Sequence, residues 1–138
     1  MRASPDLFIA PAEQRGKMSG QDQEIRVRVE DESTYEIFYV TGRMTDTAVS
    51  VLNPLTVSAV ERLDPPQVLM ELSGVTFCDV DGVGAVIASA KRVMSSGGRL
   101  FVVASSQAVL DAVSGRGLER NINFYGTMDR AQAALAES

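Results

Sequence analysis

Val75-Thr76-Phe77-Cys78-Asp79-Val80-Asp81-Gly82-Val83-Gly84 is the stretch on which the reading of this chain turns. It follows a short apolar run, Val68-Leu69-Met70-Glu71-Leu72, suited to a strand buried at the centre of a sheet. It leads into residues 81–96, where Val83, Val86, Ile87, Ala90, Val93 and Met94 form one helical stripe. Lys91 and Arg92 fall near the end of that helix, where its dipole favours cations, and Gly97-Gly98 ends it. Glycine at 82 and 84 lets another backbone come close, and the first turn of the helix offers unpaired N–H groups to an anion at residues 80–84.

Working towards the N-terminus, Asp64-Pro65-Pro66 blocks continuation of a helical stripe over residues 47–63, carried by Val49, Leu52, Leu55 or Thr56, Ala59, Val60 and Leu63. Pro54 lacks an amide hydrogen, so that helix is expected to kink or to start only there. Before it, Ile25, Val27 and Val29 alternate with Arg26, Arg28 and Glu30, then Tyr35, Ile37 and Tyr39 with Glu36, Phe38 and Val40. Two period-two segments around the polar turn Glu30–Ser33 read as a hairpin. Residues 1–23, with Pro5, Pro11, Gly16 and Gly20 and only Leu7-Phe8-Ile9-Ala10 apolar, read as a flexible tail, and residues 24–138 as the domain. Met18, ahead of Ser19-Gly20, is a second place where translation is able to start.

Working towards the C-terminus, Leu100–Ala104 is another buried strand and Ser106 an expected cap for a helix through Ser114, broken by Gly115-Arg116-Gly117. Asn121–Tyr125 is a weak strand, and Thr127 caps a last helix with Met128, Ala131 and Leu135 facing inward. The order β-β-α-β-α-β-α-β-α predicts an α/β fold, a mixed sheet of about five strands with about four helices packed on it.

Composition narrows the chemistry. At 138 residues the chain holds one domain, and 45% hydrophobic residues suffice for its core. Arg2, Arg15 and Lys17 balance Asp6, Glu13 and Asp22, so the net charge of −5 lies wholly in residues 24–138 and disfavours nucleic acid or a polybasic membrane contact. Histidine is absent and Cys78 stands alone, which removes the commonest metal ligand and general base, internal disulfides and multi-cysteine zinc sites. Cys78 reads as an apolar filler, because Asp79 and Asp81 beside it oppose a thiolate. Ile87 stands where a dinucleotide-binding Gly-x-Gly-x-x-Gly needs its third glycine. No apolar run approaches the roughly 20 residues of a membrane span. The expectation is a soluble cytoplasmic protein with no metal, no cofactor and no reaction of its own.

The loop at 75–84 resembles that of the STAS domains of bacterial anti-sigma-factor antagonists, which reads Phe-x-Asp-Ser-Ser/Thr-Gly-Leu-Gly before an apolar helix. Gly97-Gly98-Arg99-Leu100 to Ala104 resembles the family's Gly-Gly and strand, and Val109-Leu110 to Gly117-Leu118 its following helix, so the likeness covers about residues 24–136. In that family the first hydroxyl residue after the Asp is phosphorylated by an anti-sigma-factor kinase, and the added charge breaks the complex. Here Val80 occupies that position and Asp81 the next. The loop after the second strand, Gly-Glu-Leu/Ile-Asp in the family, is Gly42-Arg43-Met44-Thr45, with Thr45 in place of the acid.

The resemblance implies a protein-binding module in transcription regulation and stress response, acting by partner switching on an anti-sigma factor or serine-kinase-like protein. Loss of the hydroxyl implies that loop phosphorylation does not control it. The expected partner-binding residues are Asp79, Val80, Asp81, Gly82, Val83, Gly84, Ala85, Ser89, Arg92, Arg43 and Thr45, with Asp81, Ala85, Ala88, Ser89 and Arg92 on the exposed side of the helix. Asp79 either shapes the loop or touches the partner; Asp81 either caps the helix or stands in weakly for a phosphorylated loop. Two alternatives remain: a structural STAS subunit of a larger assembly, self-associating or joined to other STAS proteins, and a receiver-like phospho-Asp protein. The latter needs a strand-end lysine, whereas the only lysines are Lys17 and Lys91.

Overall fold

The computed structural model describes residues 6–8, 24–113 and 122–137. Its six strands are β1 (Asp6–Phe8), β2 (Arg26–Asp31), β3 (Glu36–Met44), β4 (Gln67–Cys78), β5 (Arg99–Val103) and β6 (Asn123–Tyr125). The helices are α1 (Ala48–Arg62), α2 (Val80–Ser95), α3 (Gln107–Val113) and α4 (Met128–Ala136). The expected α/β architecture is present: β2–β6 are the five strands of the sequence reading, and α1–α4 its four helices. β1, inside the stretch expected to be a tail, adds an antiparallel edge strand to β2, Asp6 facing Val29 and Phe8 facing Val27. The rest of residues 1–23, Met18 included, lies outside the described residues, as do Ser114, the Gly115–Gly117 break, Leu118 and Asn121.

The sheet order is β1-β2-β3-β4-β5-β6, antiparallel through the β2–β3 hairpin and parallel from β3 onward. Each parallel step moves the same way across the sheet, so right-handed crossovers place α1, α2 and α3 on one face. The main core lies there, from Ile25, Val27, Phe38 and Val40 through Val68, Met70 and Leu72 to Val102. α4 closes the other face: Ala131 and Leu135 pack on Ile37, Leu69, Phe101 and Val103. Val68, Leu69 and Met70 are therefore all buried, as an unalternating apolar run requires.

Several local expectations change. α1 runs unbroken through Pro54. Pro54 and Ser50, whose carbonyl loses its helical partner, are both exposed, so water is able to take the place of the missing bond. Val49 and Met94, expected inside, are exposed at the ends of their helices. Ser106 does not cap α3 in the expected way; its Oγ donates to the Val75 carbonyl at 2.7 Å and ties the head of α3 to β4. Thr127 does cap α4, accepting from the Arg130 N–H at 3.2 Å. Gly97, at φ +81°, turns the chain after α2, and the Gly98 N–H returns to the Val93 carbonyl at 2.9 Å. At the end of α1, Arg62 pairs with the hairpin carboxylates Glu36 and Asp31; Glu36 is only 1% exposed, so its charge depends on that guanidinium.

Candidate functional site

β3 and β4 end side by side, Arg43 opposite Phe77 and Met44 opposite Cys78. Beyond them one chain passes through Thr45–Thr47 into α1 and the other through Asp79 into α2. Expected site residues from two distant parts of the sequence, Arg43 and Thr45 with Asp79–Gly84, thus meet at the carboxyl end of the parallel strands. Open α/β sheets commonly bind other molecules at this end.

The two loops are bonded together. The Asp79 N–H donates to the Met44 carbonyl at 3.2 Å. Gly82 sits against that same carbonyl so tightly that a Cβ would lie 2.3 Å from Met44 O. Asp79 caps α2: extended at φ −108° and ψ −170°, it accepts the Gly82 N–H on its carboxylate at 2.9 Å, and its carbonyl accepts the Val83 N–H at 3.0 Å. Of the two roles weighed for Asp79, shaping the loop is the one visible in these bonds. Asp81 is exposed in the first turn, where its charge suits the helix dipole, and it is not the cap.

Val80, the first residue of α2, is 59% exposed, an apolar side chain presented to solvent at the head of a helix. Phe77 is 40% exposed with the Arg43 guanidinium stacked 4.3 Å from its ring centre. Val49, in the first turn of α1, is a third exposed apolar side chain at this end of the sheet. The Thr45 hydroxyl donates to Asp46 at 3.4 Å beside them. Sequence reasoning missed Phe77 and Val49. Phe77 comes outward because Thr76 is passed over between the pairings Gly42–Val75 and Arg43–Phe77, a bulge that the residue types do not announce.

Four expected contact residues do not reach the surface. Gly82 and Val83 are buried beneath the loop, and Ala85 and Ser89 are only 2% and 4% exposed. The helix turns the last two towards α1, where Ser89 Oγ and Thr56 Oγ1 lie 3.1 Å apart. The glycine at 82 therefore serves approach by the chain's own Met44, while Gly84 faces open space. The accessible set is Val80, Asp81, Gly84, Ala88 and Arg92, with half-buried Arg43, Thr45 and Asp79.

Among the described residues no three His, Cys, Asp or Glu side chains gather as for a metal ion. Cys78 is half-buried and lines a small apolar cleft with Leu72, Val83, Val86 and Val109. On the hairpin, hydrogen bonding to Glu30 raises the Arg28 guanidinium, and burial, then the Glu30 charge, raises the Tyr39 phenol. No helix among the described residues is long and apolar enough to cross a membrane.

The family model of the STAS domain matches residues 25–131. The chain belongs to the STAS-domain family. Solved structures share the STAS fold. An anti-sigma factor antagonist from Mycobacterium paratuberculosis is 24% identical with a TM-score of 0.71, over 82% of this chain and 95% of that one. The anti-sigma factor antagonist SpoIIAA in its unphosphorylated form is 16% identical with a TM-score of 0.65, over 81% and 97%. The murine solute carrier 26 family member A9 anion transporter matches all of this chain with 23% of its own, at 13% identity and a TM-score of 0.63. No curated protein matches the sequence.

Proposed function

We propose that this STAS domain is a protein-binding regulatory module of the anti-sigma-factor-antagonist kind, docking the surface around Val80 on an anti-sigma factor or serine-kinase-like protein. It works by partner switching in cytoplasmic transcription regulation of the stress-response type, with no reaction of its own and no control by phosphorylation of the loop. The observation that carries this reading is the exposed isopropyl group of Val80 at the head of α2, beside Phe77 and Arg43. Valine has no oxygen to accept a phosphoryl group, and exposed apolar side chains beside an arginine are the residue types that anchor protein interfaces.

The test is binding, by calorimetry, of the full chain to the anti-sigma factors and serine-kinase-like proteins of its own organism. Val80→Arg and Gly84→Trp are expected to weaken binding by about tenfold or more while leaving the fold intact, since both positions face solvent. Incubation of the complex with ATP and Mg²⁺ is expected to add no phosphoryl group to residues 75–84, whereas Val80→Ser restores an acceptor. Phosphorylation of the unaltered loop, or binding indifferent to both substitutions, overturns the reading.

A further inference from the structure

Among the described residues, one face of α2 is exposed along its whole length: Val80, Asp81, Gly84, Ala88, Lys91, Arg92, Met94 and Ser95. Three features of that face belong together. Val80, Ile87 and Met94 stand seven residues apart, so they follow one edge of the helix; Val80 is 59% and Met94 51% exposed, and Ile87 between them is half-buried. Gly84 and Ala88 beside them are small, so a second helix is able to approach closely. The charges are divided by end, Asp81 in the first turn and Lys91 and Arg92 near the last.

This pattern is complementary to itself when reversed. Laid antiparallel on a second copy, with Gly84 and Ala88 at the seam and the two-fold axis level with Ile87, the helix brings Val80 beside the copy's Met94 along one flank and leaves the other flank to Asp81 and Arg92. Asp81 precedes that level by six residues and Arg92 follows it by five. The two are eleven residues, close to three turns, apart, so they lie on the same side of the helix. Each Asp81 therefore meets the copy's Arg92, and the contact occurs twice about the two-fold axis. A parallel pairing sets Asp81 on Asp81 and Arg92 on Arg92, so the charges select the antiparallel one.

We infer that the exposed face of α2 is a self-association surface whose occupant is a second copy of this chain, packed as an antiparallel α2 pair with reciprocal Asp81–Arg92 contacts. The inference stands apart from the proposed partner. It also gives a means of regulation without a phosphorylated loop, because Val80, Asp81 and Gly84 are unable to serve a second copy and another protein at once. One helix face is small beside the roughly 1,200–2,000 Å² of stable complexes, so the dimer belongs to the weak, concentration-dependent class.

The test is sedimentation velocity of the full chain alone, from roughly 10 μM to 1 mM, the range in which a small interface assembles. A monomer–dimer equilibrium is expected. Asp81→Arg and Arg92→Asp each replace two attractions by two repulsions and are expected to weaken it by roughly tenfold or more. Mixed in equal amounts they are expected to recover association, since the mixed dimer brings the two arginines of one chain to the two aspartates of the other. The double variant Asp81→Arg/Arg92→Asp is expected to recover it without mixing. A chain that stays monomeric throughout overturns the inference, as does a dimer indifferent to both reversals or a mixture of folded single variants that fails to associate. No other protein is present, so the outcome is independent of the proposed partner.

Discussion

Gly82 and Gly84, two residues apart in the first turns of α2, are expected to answer the same substitution with opposite signs. At Gly84 an added methyl meets nothing within 4 Å, and alanine gains about 1 kcal/mol over glycine inside an exposed helix, so Gly84→Ala is expected to stabilise by about 0.5–1 kcal/mol. At Gly82 the same methyl falls 2.3 Å from Met44 O, 2.8 Å from Met44 C and 2.9 Å from Met44 Cβ. Two of those atoms are backbone at the end of β3, and the carbonyl already holds the Asp79 N–H, so relief requires β3 and α2 to part. Overpacking of this kind costs up to about 3 kcal/mol, and weakening the Asp79–Met44 bond about 1 more. Against the same gain of about 1 from helix propensity, the net loss for Gly82→Ala is about 3 kcal/mol. Urea unfolding followed by circular dichroism measures both variants, and for a domain of this size the melting temperature of Gly82→Ala should fall by about 10 °C. Equal effects of one sign, or Gly82→Ala as stable as the parent, would show that the two loops are not locked through Met44.

Asp79→Ala is expected to lose about 1 kcal/mol through the Gly82 amide it caps, while Asp81→Ala changes stability by no more than a few tenths; chemical unfolding separates them. Arg62→Ala strands the buried Glu36 carboxylate, and since Arg62 itself is half in solvent the expected loss is about 2–3 kcal/mol, recovered in part by Glu36→Gln in the same chain. The fold holds the Tyr39 phenol above its ordinary value through burial and then the Glu30 charge. The neutral phenol is therefore the form the fold favours; its contribution is whole below about pH 10 and is lost as pH rises through the higher folded value. Urea midpoints taken above about pH 9 should fall more steeply for the parent than for Tyr39→Phe.

Much of the fold was legible because its signals are local and repeated. Ile25, Val27 and Val29 alternate as a half-covered strand should, Val68–Met70 does not alternate because helices cover both faces, and Gly97-Gly98 ends α2 where expected. The site was legible as a meeting of two loops but not in its detail. A wheel drawn for α2 alone shows Ala85 and Ser89 opposite the valine stripe; only the position of α1 reveals that this second side is also buried, the Ser89 hydroxyl being satisfied by Thr56. Asp79 and Asp81 are equally plausible caps by type, and the extended backbone at 79 decides between them. Residues 6–8 are too few to announce a strand, since their partner is an edge offered by β2 and not a pattern of their own.

The unmatched Thr76 works as an offset between β3 and β4, the second after the shift between Tyr39 and Thr41. Val75 points into the interior, and in an undisturbed strand its neighbour two places on would follow it there, competing with Met44 for the same volume. Passing over one residue reverses the phase, and the benzyl group of Phe77 comes outside under a guanidinium instead. Deleting that single threonine would make Val75 and Phe77 neighbours and so keep one inside and the other outside by plain alternation, whereas drawing it into register opposite Arg43 would turn the benzyl group inward.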